Sequence, residues 1–196
     1  MQESLPQWRR TAHIMMLKGV RQAMKNQVFQ SKDKNPNEIS LLVSILIRYP
    51  EISSLHFDPK SRSLAFNFLV RGLIPQENLR SFRTKLSSCL DVFHQIGGDQ
   101  NHKTSILSED FNGVTRLIVA REVDTLSQHE ISLIIHVIYD HFTDKLVSDY
   151  NDSILEEELL LQEEMIDSML LDVSGASQEK DFIAYREDGR VMVFNK

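Results

Sequence analysis

The stretch Leu64-Ala65-Phe66-Asn67-Phe68-Leu69-Val70 decides the fold class, because a large apolar side chain occupies every second position from 64 to 70. Alternate residues of a strand point to opposite faces of a sheet, so the stretch predicts a strand with one face in a core. Leu55 and Phe57 alternate with polar residues in the same way, and Asp58-Pro59 between the two stretches is typical of a turn. Together they predict a β-hairpin.

Helical periodicity flanks this hairpin on both sides. Residues of about 37–48 are apolar nearly all round, which indicates a buried helix, and Pro36 suits its first turn. Downstream, about 75–96 carries one continuous apolar stripe and ends at Gly97-Gly98, a typical helix stop. The chain therefore reads as helix, strand, strand, helix.

A second hairpin is predicted at about 104–122, because Asn112-Gly113 between two apolar runs favours a type I′ turn. Ser127 and Glu130 then have the spacing of a capping box, which predicts a helix at about 127–148.

The last part of the chain predicts an acidic amphipathic helix from about 153 to Gly175 and a closing hairpin from 182 to 194. In that hairpin we expect one apolar face made by Ile183, Tyr185, Val191 and Val193, able to extend a sheet of this chain or of a neighbour.

These elements predict an α+β protein with an antiparallel sheet of four to six strands packed with helices, built from helix-strand-strand units. A ferredoxin-like core fits the middle of the chain as an alternative. We expect a basic amphipathic helical arm at 1–34, an α+β core at 35–150, and an acidic helix plus hairpin at 151–196, all packed as one domain. The second face of the sheet would be covered by the N-terminal helix or by a partner.

Charge is distributed unevenly along the chain, although the net value is only −6. Residues 1–34 hold seven basic and two acidic residues, and residues 149–196 hold four basic and thirteen acidic residues. A basic head and an acidic tail are therefore the main compositional feature.

No catalytic, cofactor or metal signature stands out. Six of the seven glycines fit turns, helix ends or a strand end, and Gly19 lies inside a predicted helix, so no phosphate-binding loop is present. Cys89, the only cysteine, falls on the apolar side of a predicted helix. We expect no cofactor, no metal and, on balance, no catalysis. The enzyme alternative points first to His136 and Asp140, four residues apart on one helix, and a structure with both facing solvent would exclude that pair.

Location and membrane association follow from similar considerations. No apolar run approaches the ~20 residues needed to span a bilayer, and a lone cysteine does not indicate an oxidising compartment. We therefore expect a cytoplasmic protein without integral membrane association.

Nucleic-acid binding is an alternative function, because the N-terminal helix at 8–29 is basic and begins with Trp8. The acidic composition of the whole chain argues against it, and the acidic tail could fold over the basic helix and neutralise it.

The expected function is that of a non-catalytic adaptor or regulatory protein that binds another protein or itself as a homo-oligomer. Two helices that carry an apolar stripe, 8–29 and 153–171, flank the core, and several methionines, Met165 among them, suit adaptable contacts. The stripe at 153–171 could equally dock on the chain's own sheet. The candidate surface consists of Trp8, Arg9, Arg10, Lys18, Arg21, Leu155, Leu159, Ile166, Met169 and Leu170.

Overall fold

The computed structural model describes residues 36–98, 103–149, 156–174, 180–187 and 190–196. Within these ranges the helices are α1 (Pro36–Arg48), α2 (Gln76–Gly97), α3 (Gln128–Phe142) and α4 (Glu156–Ser174). The strands are β1 (Ser54–Asp58), β2 (Ser63–Arg71), β3 (Thr104–Phe111), β4 (Val114–Glu122), β5 (Phe182–Glu187) and β6 (Arg190–Asn195). The predicted helical arm at 1–34 lies outside the described residues.

The six strands form one sheet in the order β3-β4-β2-β1-β5-β6, and all five pairings are antiparallel. Three sequential hairpins thus lie side by side, joined by the β4–β2 and β1–β5 pairings. The α+β class and the antiparallel sheet are confirmed, in the tandem helix-strand-strand form. The order β3-β4-β2 also agrees with the ferredoxin-like alternative for the middle of the chain, because β4 lies between the two strands that α2 connects and every pair stays antiparallel.

The core lies between one face of the sheet and the four helices. Cross-strand partners share a face, so Leu55 and Phe66, which pair directly, point into the core together, as do Phe57 and Leu64. Each helix adds fully buried apolar side chains to this cluster, including Ile45 of α1, Phe82 of α2, Ile134 of α3 and Ile166 of α4.

The predicted turn at 112–113 is confirmed by its backbone. Asn112 and Gly113 have φ angles of 46° and 83°, both in the left-handed region that a type I′ turn requires. The start of α3 is also confirmed, since the Ser127 hydroxyl accepts a hydrogen bond of 3.2 Å from the Glu130 backbone N–H.

The predicted end of α3 is wrong, because the helix stops at Phe142 rather than near 148. Thr143 has a φ of 33° and breaks the helical path. Beyond it, Leu146 forms a bridge with Val70, and the Val147 N–H donates to the Leu69 carbonyl at 2.8 Å. The segment is therefore extended along β2, with Leu146 in the main core and Val147 packed against Leu69 and Val114.

The predicted face of the closing hairpin is wrong as well. Ala184 pairs with Val193 on the core side, whereas Tyr185 pairs with Met192 on the opposite side. There the Tyr185 ring stacks on Phe194, with the ring centroids 5.6 Å apart. The register pairs Glu187 with Arg190, so odd-numbered residues of β5 share a face with even-numbered residues of β6.

Candidate interaction surface

Helix α4 packs against the rest of the protein through side chains between residues 163 and 173. Ile166, Leu170 and Val173 are buried in the common core. On the α1 side, Arg48 donates to the Glu163 carboxylate at 2.5 Å, and Met169 Sδ lies 3.8 Å from the Ser44 hydroxyl.

The middle and the C-terminal end of α4 are also fixed by polar contacts. The Asp167 carboxylate accepts a hydrogen bond of 2.9 Å from the backbone N–H of Gln128, at the start of α3. The Arg62 guanidinium donates to the Ser174 carbonyl at 2.6 Å, which satisfies one of the free carbonyl groups at the end of α4. Arg62 also pairs with Asp124 at 2.5 Å. These contacts determine which side of α4 faces outward.

The outward side of α4 carries four large apolar residues. Leu160 and Leu161 are each 61% exposed, Met165 is 51% exposed and Leu171 is 73% exposed. Helical neighbours lie three and four residues apart, so Leu161 and Met165 are adjacent on the surface, and Leu160 and Leu171 lie on nearly one line, three turns apart. We call these four residues the outer face of α4. They form two pairs about 100° apart around the helix, and the exposed Glu164 and Ser168 lie between them.

The outer face of α4 lies in an acidic setting. The helix contains seven acidic residues and no basic residue. Glu163 and Asp167 are used in the contacts with Arg48 and Gln128, whereas Glu164 and Asp172 are exposed beside the apolar residues.

The residues of the predicted surface fall into two groups: those outside the described residues and those that pack on the core of this chain. Trp8, Arg9, Arg10, Lys18, Arg21 and Leu155 lie outside the described residues, and so does the side chain of Leu159. Ile166 and Leu170 are buried in the core of the same chain, and Met169 is half-buried against it. For these three residues, the stripe docks on the chain's own core, which is the alternative that the sequence left open.

Sequence reasoning missed Leu160, Leu161 and Leu171 as surface residues. A signal was present, because neighbouring residues of a helix point about 100° apart. The runs at 159–161 and 170–171 therefore cannot all belong to a single stripe. A helix with apolar residues beyond its buried stripe must expose some of them or bury them against a second partner.

The His136 and Asp140 pair is excluded as a buried acid–base site, because both side chains face solvent. Asp140 instead accepts a hydrogen bond of 2.5 Å from Lys85 Nζ, and this bond holds the pKa of the Asp140 carboxyl below its usual value. Among the described residues, no three His, Cys, Asp or Glu side chains come together in a way that could hold a metal ion.

A buried polar cluster joins β4 to α2 and α3. Arg121 and Glu130 are both completely buried and form an ion pair through the Nε and Nη2 atoms of the guanidinium. His94 Nε2 lies 3.3 Å from the same carboxylate, and Arg121 Nη1 donates to the Lys103 carbonyl at 2.8 Å. Solvent does not reach the carboxylate, so loss of either charged partner alone would leave a buried charge uncompensated.

The aromatic residues of β2 do not form a platform for nucleic-acid bases, because Phe66 and Phe68 are buried in the core. Two basic residues of α2 are also engaged within the protein: Arg83 donates to the Ser108 hydroxyl at 3.1 Å, and Lys85 binds Asp140.

Within the ranges that the structure describes, no helix has both the length and the apolar composition that crossing a bilayer requires. Comparison with known proteins finds no matching family model, no matching curated protein and no matching solved structure.

Proposed function

We propose that this protein is a non-catalytic adaptor or regulatory protein, and that it binds another protein through the outer face of α4. The observation that carries the proposal is the exposure of Leu160, Leu161, Met165 and Leu171 on a helix that is otherwise firmly packed. An exposed apolar face on a rigid element loses little conformational entropy when a partner covers it.

The acidic setting of the outer face supports a particular class of partner, a helix with an apolar stripe and basic flanks. Two copies of α4 meeting face to face would bring Glu164 and Asp172 of both chains together, and that repulsion disfavours a homo-oligomer through this surface. Nucleic-acid phosphates would be repelled in the same way. The lone Cys89 fits a reducing compartment, and we place the protein in the cytoplasm as part of the proposal.

A direct test uses two synthetic amphipathic peptides of equal length, one of Leu and Lys and the other of Leu and Glu. Each is titrated against the full chain and followed by fluorescence anisotropy, with light scattering to report the oligomeric state. We expect the Leu/Lys peptide to bind a monomer, at an affinity that falls as salt screens the charges, and the Leu/Glu peptide to bind at least about tenfold more weakly.

The matched variants are Leu161→Gln/Leu171→Gln on the outer face and Leu73→Gln on the loop before α2, where Leu73 is 63% exposed. The double variant should weaken binding of the Leu/Lys peptide by about tenfold or more, because burying each leucine contributes roughly 1.5–3 kcal/mol at most. Leu73→Gln should bind like the wild type. Equal affinities for the two peptides, or equal loss in both variants, would contradict the proposed surface.

A further inference from the structure

We propose that the edge of β3 that faces away from β4 binds an extended segment of another protein as a further strand of the sheet, antiparallel to β3. The segment has a basic residue near its N-terminal end, an apolar centre and an acidic residue near its C-terminal end. This edge shares no residue with the outer face of α4, so either proposal can fail while the other stands.

The strand β3 lies at one end of the sheet, because it pairs with β4 and, among the strands that the structure describes, with no other. Its register with β4 runs without a bulge from Thr104 to Phe111, so the strand is regular over its eight residues. The edge of a sheet presents backbone N–H and C=O groups that a further strand can bind.

The turn at 112–113 determines which backbone groups of β3 face this edge. Phe111 and Val114 flank the type I′ turn and are hydrogen-bonded to each other across it. Hydrogen-bonded and non-hydrogen-bonded positions alternate along an antiparallel pair, so Leu107 is also hydrogen-bonded to β4. The even-numbered residues of β3 therefore direct their backbone N–H and C=O groups away from β4: Thr104, Ile106, Ser108 and Asp110.

The middle of this edge lacks the features by which proteins commonly protect a sheet edge, which are charged side chains, proline and bulges. Residues 105–108 are Ser-Ile-Leu-Ser, without a charge or a proline. Ile106 packs against the core, and Leu107, on the opposite face of the sheet, is 54% exposed. An added strand would therefore bury apolar surface together with the backbone groups.

Charges at the two ends of β3 determine the direction of the added segment. Lys103, directly before β3, and Glu109, near its end, are both exposed. Each has one ionic partner on β4, but an ammonium group and a carboxylate can each make further hydrogen bonds. An antiparallel segment with a basic residue near its N-terminal end and an acidic residue near its C-terminal end complements both charges.

The residues between the two ends favour particular side chains. The Thr104 hydroxyl is buried and has no hydrogen-bond partner in the part of the chain that the structure describes, and such a group costs free energy. A threonine opposite Thr104 on the added strand can bond to it, as cross-strand threonine pairs do. Leu107 occupies a position where the added strand is not hydrogen-bonded to β3, so opposite side chains are closest there and an apolar residue is favoured.

The strand β6 forms the other end of the sheet and is the competing place for such a segment. Its charges have a different pattern, because Arg190 begins the strand and Lys196 directly follows it. With basic residues at both ends, β6 would favour a segment with acidic residues at both ends and would not distinguish the two directions of charge.

Two end-capped peptides of the same composition test the direction of charge: Thr-Lys-Thr-Val-Val-Thr-Thr-Glu, the Lys-first peptide, and Thr-Glu-Thr-Val-Val-Thr-Thr-Lys, the Glu-first peptide. Each is titrated against the full chain and followed by fluorescence anisotropy. We expect the Lys-first peptide to bind about threefold or more tightly than the Glu-first peptide. Equal affinities would overturn the proposal.

A charge exchange at the ends of β3 provides the matched variant. Lys103→Glu/Glu109→Lys keeps the net charge and should reverse the preference between the two peptides. Glu187→Arg/Arg190→Glu exchanges a facing pair on the β5–β6 hairpin and should leave both affinities unchanged. An unchanged preference in the first variant, or a reversed one in the second, would show that β3 is not the binding edge.

Backbone methylation of the Lys-first peptide tests whether it binds as a strand. Methylation of the two nitrogens opposite Ile106 and Ser108 removes N–H groups that donate to β3 and should weaken binding by about tenfold or more. Methylation opposite Ser105 and Leu107, where the N–H points away from β3, should keep the affinity within about threefold. Equal losses from the two methylated peptides would overturn strand addition.

Amide hydrogen exchange measured by NMR locates the bound peptide on the full chain. At saturation, the amides of Ile106 and Ser108 should exchange about tenfold or more slowly, whereas those of Ser105 and Leu107, already bonded to β4, should change little. Binding without slower exchange at Ile106 and Ser108 would overturn the site. A dimer of the free chain, seen by light scattering and dissociated by the peptide, would assign this edge to a second copy and overturn the separate partner.

Discussion

At the level of single residues, Glu130 has one role that the sequence predicts and one that it does not. Its backbone N–H is capped by Ser127, as the capping box predicts, but its carboxylate turns inward to Arg121. Arg121 follows Leu117 and Val119 at period two, and this phase indicates an inward-facing arginine. Its partner could not be predicted, because the contact depends on how α3 crosses β4.

Replacing one partner of the buried ion pair should lower the free energy of unfolding far more than replacing both partners. We expect Arg121→Met to lower the free energy of unfolding by about 3–5 kcal/mol, since it leaves the Glu130 carboxylate buried without its cation. Arg121→Met/Glu130→Leu should recover most of that loss. Urea unfolding followed by circular dichroism measures both values.

Arg116 provides the matched control on the same strand, because it pairs with Glu109 at the surface. Arg116→Met should change the free energy of unfolding by less than about 1 kcal/mol. A loss for Arg121→Met no larger than this would contradict the prediction. A double variant as unstable as the single one would show that the uncompensated carboxylate is not the cause of the loss.

Glu51 should make the stability depend on pH. Burial raises the pKa of its carboxyl above the usual value of 4.5, although Arg48 and Arg186 oppose the shift. A raised pKa means that ionisation is harder in the folded state, so the wild type loses stability as the pH rises from 4.5 through the raised value. Glu51→Gln removes this loss and should be more stable than the wild type at pH 7 and equal to it below pH 4.5. Urea unfolding at both pH values decides the point, and a Gln variant less stable at pH 7 would contradict it.

At the level of elements, strands and turns were predicted better than helix ends and strand faces. Alternation in β2 and the Asn112-Gly113 turn are local signals, and the structure agrees with both. The end of α3 depends on a bridge between Leu146 and Val70, which are remote in sequence, and no local pattern reveals it. Which residues of β5 and β6 share a face depends on the register of their pairing. An error of one residue in the predicted register moves the side chains of one strand to the other face of the sheet.

The junction between α4 and the start of α3 is a stability prediction at this scale. Asp167→Ala removes the carboxylate that accepts from the Gln128 N–H and should lower the free energy of unfolding by about 1 kcal/mol, as loss of a helix cap does. Thermal unfolding measures the change. Asp172→Ala, on the exposed side of the same helix, is the control and should stay within about 0.5 kcal/mol of the wild type. Equal effects of the two substitutions would show that the contact contributes nothing.

At the level of the whole molecule, the last part of the chain is built into the centre of the protein. β5 pairs with β1 through four residue pairs, and Ile166, Leu170 and Phe182 belong to the same core as α1 and β2. The predicted boundary at 150 therefore separates regions of different charge. It does not separate two packing units, because residues on both sides of it share one core and one sheet. The sequence could not show this, because the β1–β5 pairing joins residues far apart in the chain.

We expect the core at 35–150 and the segment at 151–196 to unfold together. Hydrogen exchange followed by mass spectrometry should give β5 and β2 the same maximum free energy of opening. The backbone amides of β6 and of the exposed residues of α2 should exchange sooner than those of β5 and β2, because they can open locally. If β5 opened at a free energy several kcal/mol below that of β2, the two parts would be separate cooperative units.

The β1–β5 pairing cannot form during synthesis until β5 has been made, long after β1. Leu55 leaves the ribosome 129 residues ahead of its sheet partner Ala184, and at about 5–20 residues per second that delay is on the order of ten seconds. During that time the backbone edge of β1 has no neighbour on one side. A nascent chain halted before residue 180 would thus present an open strand edge to chaperones, and only the arrival of β5 would release it.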